Sequence, residues 1–146
     1  MWKELIAELY DDAEFAAPAS DGDIDEIEGR LGQPVPVELR DLLRHTDGVR
    51  VEWGSGLVWP VQEIIEQNTA FRGDREFAEL YGTFDQLVFF GDNGGGDQFA
   101  YAGGSPGQVA GVYVWDHETD ERTWVASSLT DYLQRRAAAD GEDWYR

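Results

Sequence analysis

The sequence predicts an α+β fold: one domain with a largely antiparallel β-sheet and helices packed against it. Three observations carry this. Apolar residues recur at helical spacing toward the two ends of the chain, while alternating stretches follow one another through the middle with short connectors. That order suits an antiparallel meander, not a doubly wound parallel sheet. The chain has 146 residues, one domain's worth,. Hydrophobic residues make up 42% and aromatics 13%, enough to build a core without staples.

The elements follow in order. In WKELIAELY, Trp2, Leu5, Ile6 and Leu9 fall at helical spacing,. DDAEFAAPAS then reads as a linker around Pro18. Ser20 or Asp21 is suited to cap a helix whose stripe is Ile24, Ile27 and Leu31, with Gly32 and Pro34 ending it,. Pro36 stands where a first helical turn tolerates proline,. Val37, Leu39, Leu42 and Leu43 give the next helix, with Gly48 as its stop,. VRVEW, GSG and LVW read as strand, turn and strand,. PVQEIIEQNTAF and DREFAELYG return to helical spacing. DQLVFFG and DQFAYA flank three glycines as strands, and GVYVWD and RTWVA follow as two more, joined by HETDE. On the second of these strands Phe99 and Tyr101 share one face, with Gln98 and Ala100 on the other,. Trp115 and Trp124 are the expected buried pair. Ser127 or Ser128 caps the last helix, LTDYLQRRAAA,.

Charge is the strongest feature of the composition. Thirty acidic residues stand against eleven basic ones, a net charge of −19, and Glu4 to Glu28 holds ten carboxylates without a Lys or Arg. Such a surface repels nucleic acid and anionic membrane and attracts basic partners. Lys3 is the only lysine among ten arginines. Acidic, Arg-rich usage of this kind also follows from a GC-rich genome or a salt-adapted proteome, so composition leaves both origins open. The lack of cysteine excludes disulfides, thiolate zinc sites and a cysteine nucleophile,. Glu4 and Glu8 interrupt the apolar run a secretory signal needs, and no stretch approaches a membrane span,. A cytoplasmic protein is the expectation. Nothing in the sequence sets its oligomeric state.

The chemically suggestive stretch is FFGDNGGGDQFAY, Phe89 to Tyr101. A phosphate-binding Walker loop needs Lys after its last glycine, and here Asp97 follows Gly96,. A dinucleotide fingerprint needs a third glycine leading into a helix, where this chain has Phe99 in a strand,. Asp92, Asn93 and Asp97 offer oxygen ligands, but an EF-hand would need further ligands at Gly94 and Gly96,. The remaining role is a tight bend between two strands, displaying Asp92 and Asp97 at its tip. His117 and Glu118 have no second histidine at zincin spacing,. Asp21 to Asp25 could hold Mg²⁺, though such acids commonly open a helix,. No catalytic, cofactor-binding or metal-binding residues are assigned, and the residues favour a binding protein over an enzyme. A metal-dependent hydrolase using the acids of 21–25 or 92–97 stays as the alternative from another class.

Four stretches, LGQPVPVELRDLLRHTDGV, LVWPVQEIIEQN, LVFFGDNGGGDQFAY and GVYVWDHETDE followed by ASSLTDYL, resemble in order and spacing those of the SUKH superfamily. That superfamily includes fungal cell-wall synthesis regulators and many bacterial immunity proteins. The resemblance is clearest over residues 21–133. Pro36, Gly48, Gly91, Asp92, Gly96 and Asp97 carry it as fold-shaping residues. It implies a non-enzymatic immunity protein that binds and blocks a toxin, or a regulatory interaction module of the same fold. The charge adds that the toxin is basic, as a nuclease would be. The expected binding residues are Asp92, Asp97, Asp116, Glu118, Asp120 and Glu121, with Trp53 and Trp59 on the early hairpin as the desolvated anchor,.

Overall fold

The computed structural model describes residues 2–51, 54–73, 87–102, 111–139 and 144–145. Within them the chain runs α1 (Trp2–Leu9), β1 (Glu14–Phe15), α2 (Asp21–Leu31), α3 (Val37–His45), β2 (Val49–Val51), β3 (Ser55–Val58) and α4 (Val61–Gly73). It continues with β4 (Leu87–Asp92), β5 (Gln98–Ala102), β6 (Val112–Trp115), β7 (Arg122–Ala126) and α5 (Leu129–Ala138). The predicted α+β architecture is present as two antiparallel sheets, β1-β2-β3 and β4-β5-β6-β7. The expected helix DREFAELYG and residue Trp53 lie outside the described residues. No helix among the described residues is long and apolar enough to cross a membrane.

Side chains start the helices where the sequence indicates. Ser20 caps α2 by accepting from the Asp23 amide, and Ser128 caps α5 by accepting from the Asp131 amide,. The stop of α3 differs from expectation. The helix ends at His45, and Thr46 turns extended because its buried hydroxyl accepts from the Ala16 amide and donates to the Gly48 carbonyl. Gly48 then enters β2. Its neighbour Asp47 accepts from the Val61 amide at 2.8 Å, supplying the cap of α4 from outside that helix,. The stretch expected to be a linker contains β1. Only two residues pair, Glu14 with Arg50 and Phe15 with Val49, too short a run to show alternation,.

The four-stranded sheet is covered on both sides by aromatic contacts. Phe71 of α4 meets Phe89 at 5.1 Å and Trp115 at 5.7 Å between ring centroids. Tyr132 of α5 meets Phe99 at 4.9 Å and Phe90 at 5.3 Å. This double cover buries Ala100 along with Phe99 and Tyr101, so side chains on both faces of β5 are packed,. It also separates the expected tryptophan pair. Trp115 is 4% exposed beneath α4, whereas Trp124 is 39% exposed. Trp124 stands on β7, the last strand in the sheet order, where no further strand covers it among the described residues.

The two sheets meet along β3 and β4. The Trp59 amide donates to the Phe90 carbonyl at 2.6 Å, and the Tyr132 hydroxyl donates to the Leu57 carbonyl at 2.8 Å. Buried Asn68 brackets Phe89, donating to its carbonyl and accepting from its amide. Backbones approach so closely that a Cβ on Gly91 would lie 2.7 Å from the Leu57 carbonyl oxygen. Glycine is required there by proximity. Elsewhere Glu38 of α3 ties the fold together over long range. Its Oε1 accepts from the Leu129 amide at the start of α5 and from the Tyr101 hydroxyl of β5.

Candidate functional site

The loop between β4 and β5 is built from its two ends inward. Asp92 closes β4. Its Oδ2 accepts from the Trp59 indole at 2.6 Å and its Oδ1 from the Gly94 amide at 2.8 Å, while its carbonyl accepts from Arg136 at 2.8 Å. Asn93 accepts from the amides of Gly95 and Asp97. Asp97 is 0% exposed. Its Oδ1 accepts from the His117 Nδ1–H at 2.7 Å and faces the His117 amide, and its Oδ2 accepts from the Tyr145 hydroxyl at 3.0 Å. Gly96 lies under the His117 ring with φ +111, and a Cβ there would sit 2.9 Å from the ring. The loop therefore locks onto the β6–β7 turn. Behind it the buried Arg136 guanidinium donates to Asp92, Tyr132 and Ser55 and lies 5.5 Å over the Phe99 ring,.

This corrects two expectations. Asp97 is not displayed, because it sits at the end of the loop, where it binds the neighbouring turn; the exposed tip is Gly94 to Gly96. Trp59 is no surface anchor. It is 1% exposed, since the half-buried Asp92 carboxylate turns its indole inward. The partner of each lies far off in sequence, 33 positions for Trp59–Asp92 and 20 for Asp97–His117, so no local pattern could have announced them.

The turn between β6 and β7 carries the remaining expected acids. Asp116 is partly exposed and accepts from the Glu118 amide at 2.8 Å, closing the turn on itself. Asp120 takes φ +64 and accepts from the Trp115 indole at 2.8 Å and from Arg122 at 3.2 Å. Glu118 and Glu121 are exposed. The structure thus gathers Asp97, Asp116, Glu118, Asp120 and Glu121 around one turn, with two of the five, Glu118 and Glu121, exposed to solvent; Glu118 Oε1 stands 3.9 Å from His117 Nε2. Asp97, Asp116 and His117 each offer an atom within 4.8 Å of the others, close enough for one cation. An ion there would have to displace the His117–Asp97 hydrogen bond. The acids at 21–25 open α2, where the helix dipole favours them,. Asp21 and Asp25 pair with Arg44 and Arg40 of α3.

An α+β domain of two joined antiparallel sheets, held by a glycine–aspartate corner, is the class that fold and site define. The SMI1 / KNR4 family (SUKH-1) matches residues 18–135, and the chain belongs to that family. The matched range includes the Thr46–Gly48 corner and the glycine loop, both serving here as tertiary joints. No curated protein matches the chain.

Proposed function

We propose that this protein is a non-enzymatic, cytoplasmic immunity protein that binds and neutralises a basic toxin, a nuclease being the kind its charge suits best. Membership of a family that includes immunity and regulatory proteins supports a binding role. The observation that carries the reading further is the division of labour among the acids. Asp92 and Asp97 are spent on the Trp59 and His117 joints, while Glu118 and Glu121 stand exposed on the same corner of a molecule of net charge −19. A nuclease needs a positive rim to hold polyphosphate. Exposed carboxylates compete for that rim and speed encounter. Nucleic acid and anionic membranes are repelled by the same charge.

The test is inhibition of the toxin encoded beside this protein, assayed with purified components. Stoichiometric loss of toxin activity is expected, with Glu118→Lys/Glu121→Lys weakening it by slowing association. Unchanged toxin activity alongside tight binding of an ordinary cellular protein would favour the regulatory module instead. The Asp97–Asp116–His117 trio keeps a metal-dependent hydrolase as the second reading. Turnover of a phosphodiester by purified protein with Mg²⁺, lost in Asp116→Asn, would establish that reading and remove the first.

A further inference from the structure

A groove of about 640 Å³ opens between α3 and the far end of the β6–β7 hairpin. Trp2, Pro36, Val37 and Tyr101 line it together with Glu38 and Asp41. Val37, in the first turn of α3, is 83% exposed, the most exposed large apolar side chain among the described residues. Gly111 lies on the wall, and the half-exposed Trp124 indole stands against it. Apolar surface at such a rim is what a protein contact desolvates.

The two carboxylates are held in a particular way. Asp41 Oδ2 accepts from the Trp2 indole at 2.8 Å, and Glu38 Oε1 accepts from Tyr101 and the Leu129 amide. The second oxygen of each, Asp41 Oδ1 and Glu38 Oε2, accepts no hydrogen bond from the described residues. Glu38 and Asp41 are three residues apart on α3, which puts them on one helix face, roughly 5–6 Å apart at Cβ. Each is therefore fixed by one oxygen and open at the other. Two arginines also line the groove, but their charge is already met: Arg40 pairs with Asp25 at 2.9 Å and Glu28 at 3.0 Å, and Arg44 with Asp21 at 2.7 Å. The groove and its ion-paired border carry five carboxylates against two guanidinium groups, so the site is anionic.

We propose that this groove is the anchor site for an arginine side chain of the protein partner, its guanidinium bridging Glu38 and Asp41 and its stem and an apolar neighbour lying on the exposed Val37. The planar, forked guanidinium suits two separately fixed carboxylate oxygens better than an ammonium does. The inference rests on the reading of the protein as a binder of basic proteins and supplies the desolvated anchor that buried Trp59 cannot. The groove and the acidic turn lie at opposite ends of the β6–β7 hairpin, about 15 Å apart at strand rise, within one interface of ordinary size.

The probe is a blocked pentapeptide with arginine flanked by leucines, titrated into the ¹⁵N-labelled full chain. Saturable shifts are expected at Val37, Glu38, Asp41, Tyr101 and Gly111. Replacing arginine by citrulline, which keeps shape and removes charge, should weaken binding at least tenfold, and lysine should weaken it several-fold. Val37→Lys touches an exposed side chain and should leave the melting temperature unchanged while weakening the peptide several-fold; Asp41→Asn keeps an acceptor for Trp2 and should do the same. Shifts confined to Glu118–Glu121, equal binding of the citrulline peptide, or no saturable shift at millimolar peptide would each overturn the proposal. If the groove binds the arginine peptide and the neighbouring toxin is not inhibited, the immunity reading fails alone. If the toxin is inhibited and the groove variants inhibit equally, the groove fails alone.

Discussion

At the scale of single residues, the loop's stability turns on Gly96 and Asp97. Alanine at Gly96 would have to adopt φ +111 and meet the His117 ring. Gly96→Ala is expected to cost about 1–3 kcal/mol in denaturant unfolding, and Gly95→Ala, where only the Asn93 side chain is near, should cost much less; equal losses would show that the ring contact is unimportant. Tyr101 offers a pH test. Burial, and then the negative charge of Glu38, raise its hydroxyl well above the ordinary tyrosine value,. A raised folded value means the protonated form is favoured by folding. Its contribution is complete below about pH 10 and is lost as pH rises through the folded value. Wild-type stability should fall in alkali, and Tyr101→Phe should flatten that limb while losing about 0.5–1.5 kcal/mol at neutral pH with the Glu38 hydrogen bond. The acid side has the opposite sign. Glu28 is held low by the Val35 amide and Arg40, and Asp131 by the Ser127 amide and Arg135. Their contributions are present above the ordinary carboxylate range and lost as pH falls below it.

At the scale of elements, β3 and β4 join the sheets through Gly91 and the Tyr132–Leu57 hydrogen bond. Gly91→Ala should destabilise by about 1–3 kcal/mol, as overpacking against backbone does. A neutral outcome in thermal melts would mean the sheets part more easily than their geometry indicates. Periodicity in the sequence found α1 to α4, the four successive strands and α5, because apolar stripes such as Ile24, Ile27 and Leu31 are local signals. It missed β1, whose two residues pair with β2 where the Thr46 hydroxyl and the Asp47 amide hold the chain that follows β1. The site was legible in part. The acids of the β6–β7 turn sit where a polar turn must be exposed, so Glu118 and Glu121 were readable. The burial of Asp97 and Trp59 was not, since each depends on a partner brought close only by the fold. The Glu38–Asp41 pair was hidden for the same reason: its spacing is visible on α3, but Trp2, Tyr101 and Leu129, which fix one oxygen of each, lie 39, 63 and 91 positions from the carboxylates they bind.

At the scale of the whole molecule, the charge of −19 is the property that decides between a steering surface and a trait of genome or habitat. Steering makes association with a basic partner fall steeply as salt rises, with dissociation nearly constant. A complex whose association ignores salt would assign the charge to composition alone. Melts with calcium and with chelator should overlay, because the Asp92 and Asp97 oxygens are already engaged by Trp59, Gly94, His117 and Tyr145. A rise of several degrees at micromolar calcium would reopen the metal reading. The most direct measurement is growth of cells expressing the product of the neighbouring gene, which the proposed immunity role makes the toxin. Wild type should restore growth, and the double reversal Glu118→Lys/Glu121→Lys, which keeps the fold because both side chains are exposed, should restore it poorly. Failure of wild type to rescue, with the toxin shown to be active, would contradict the account.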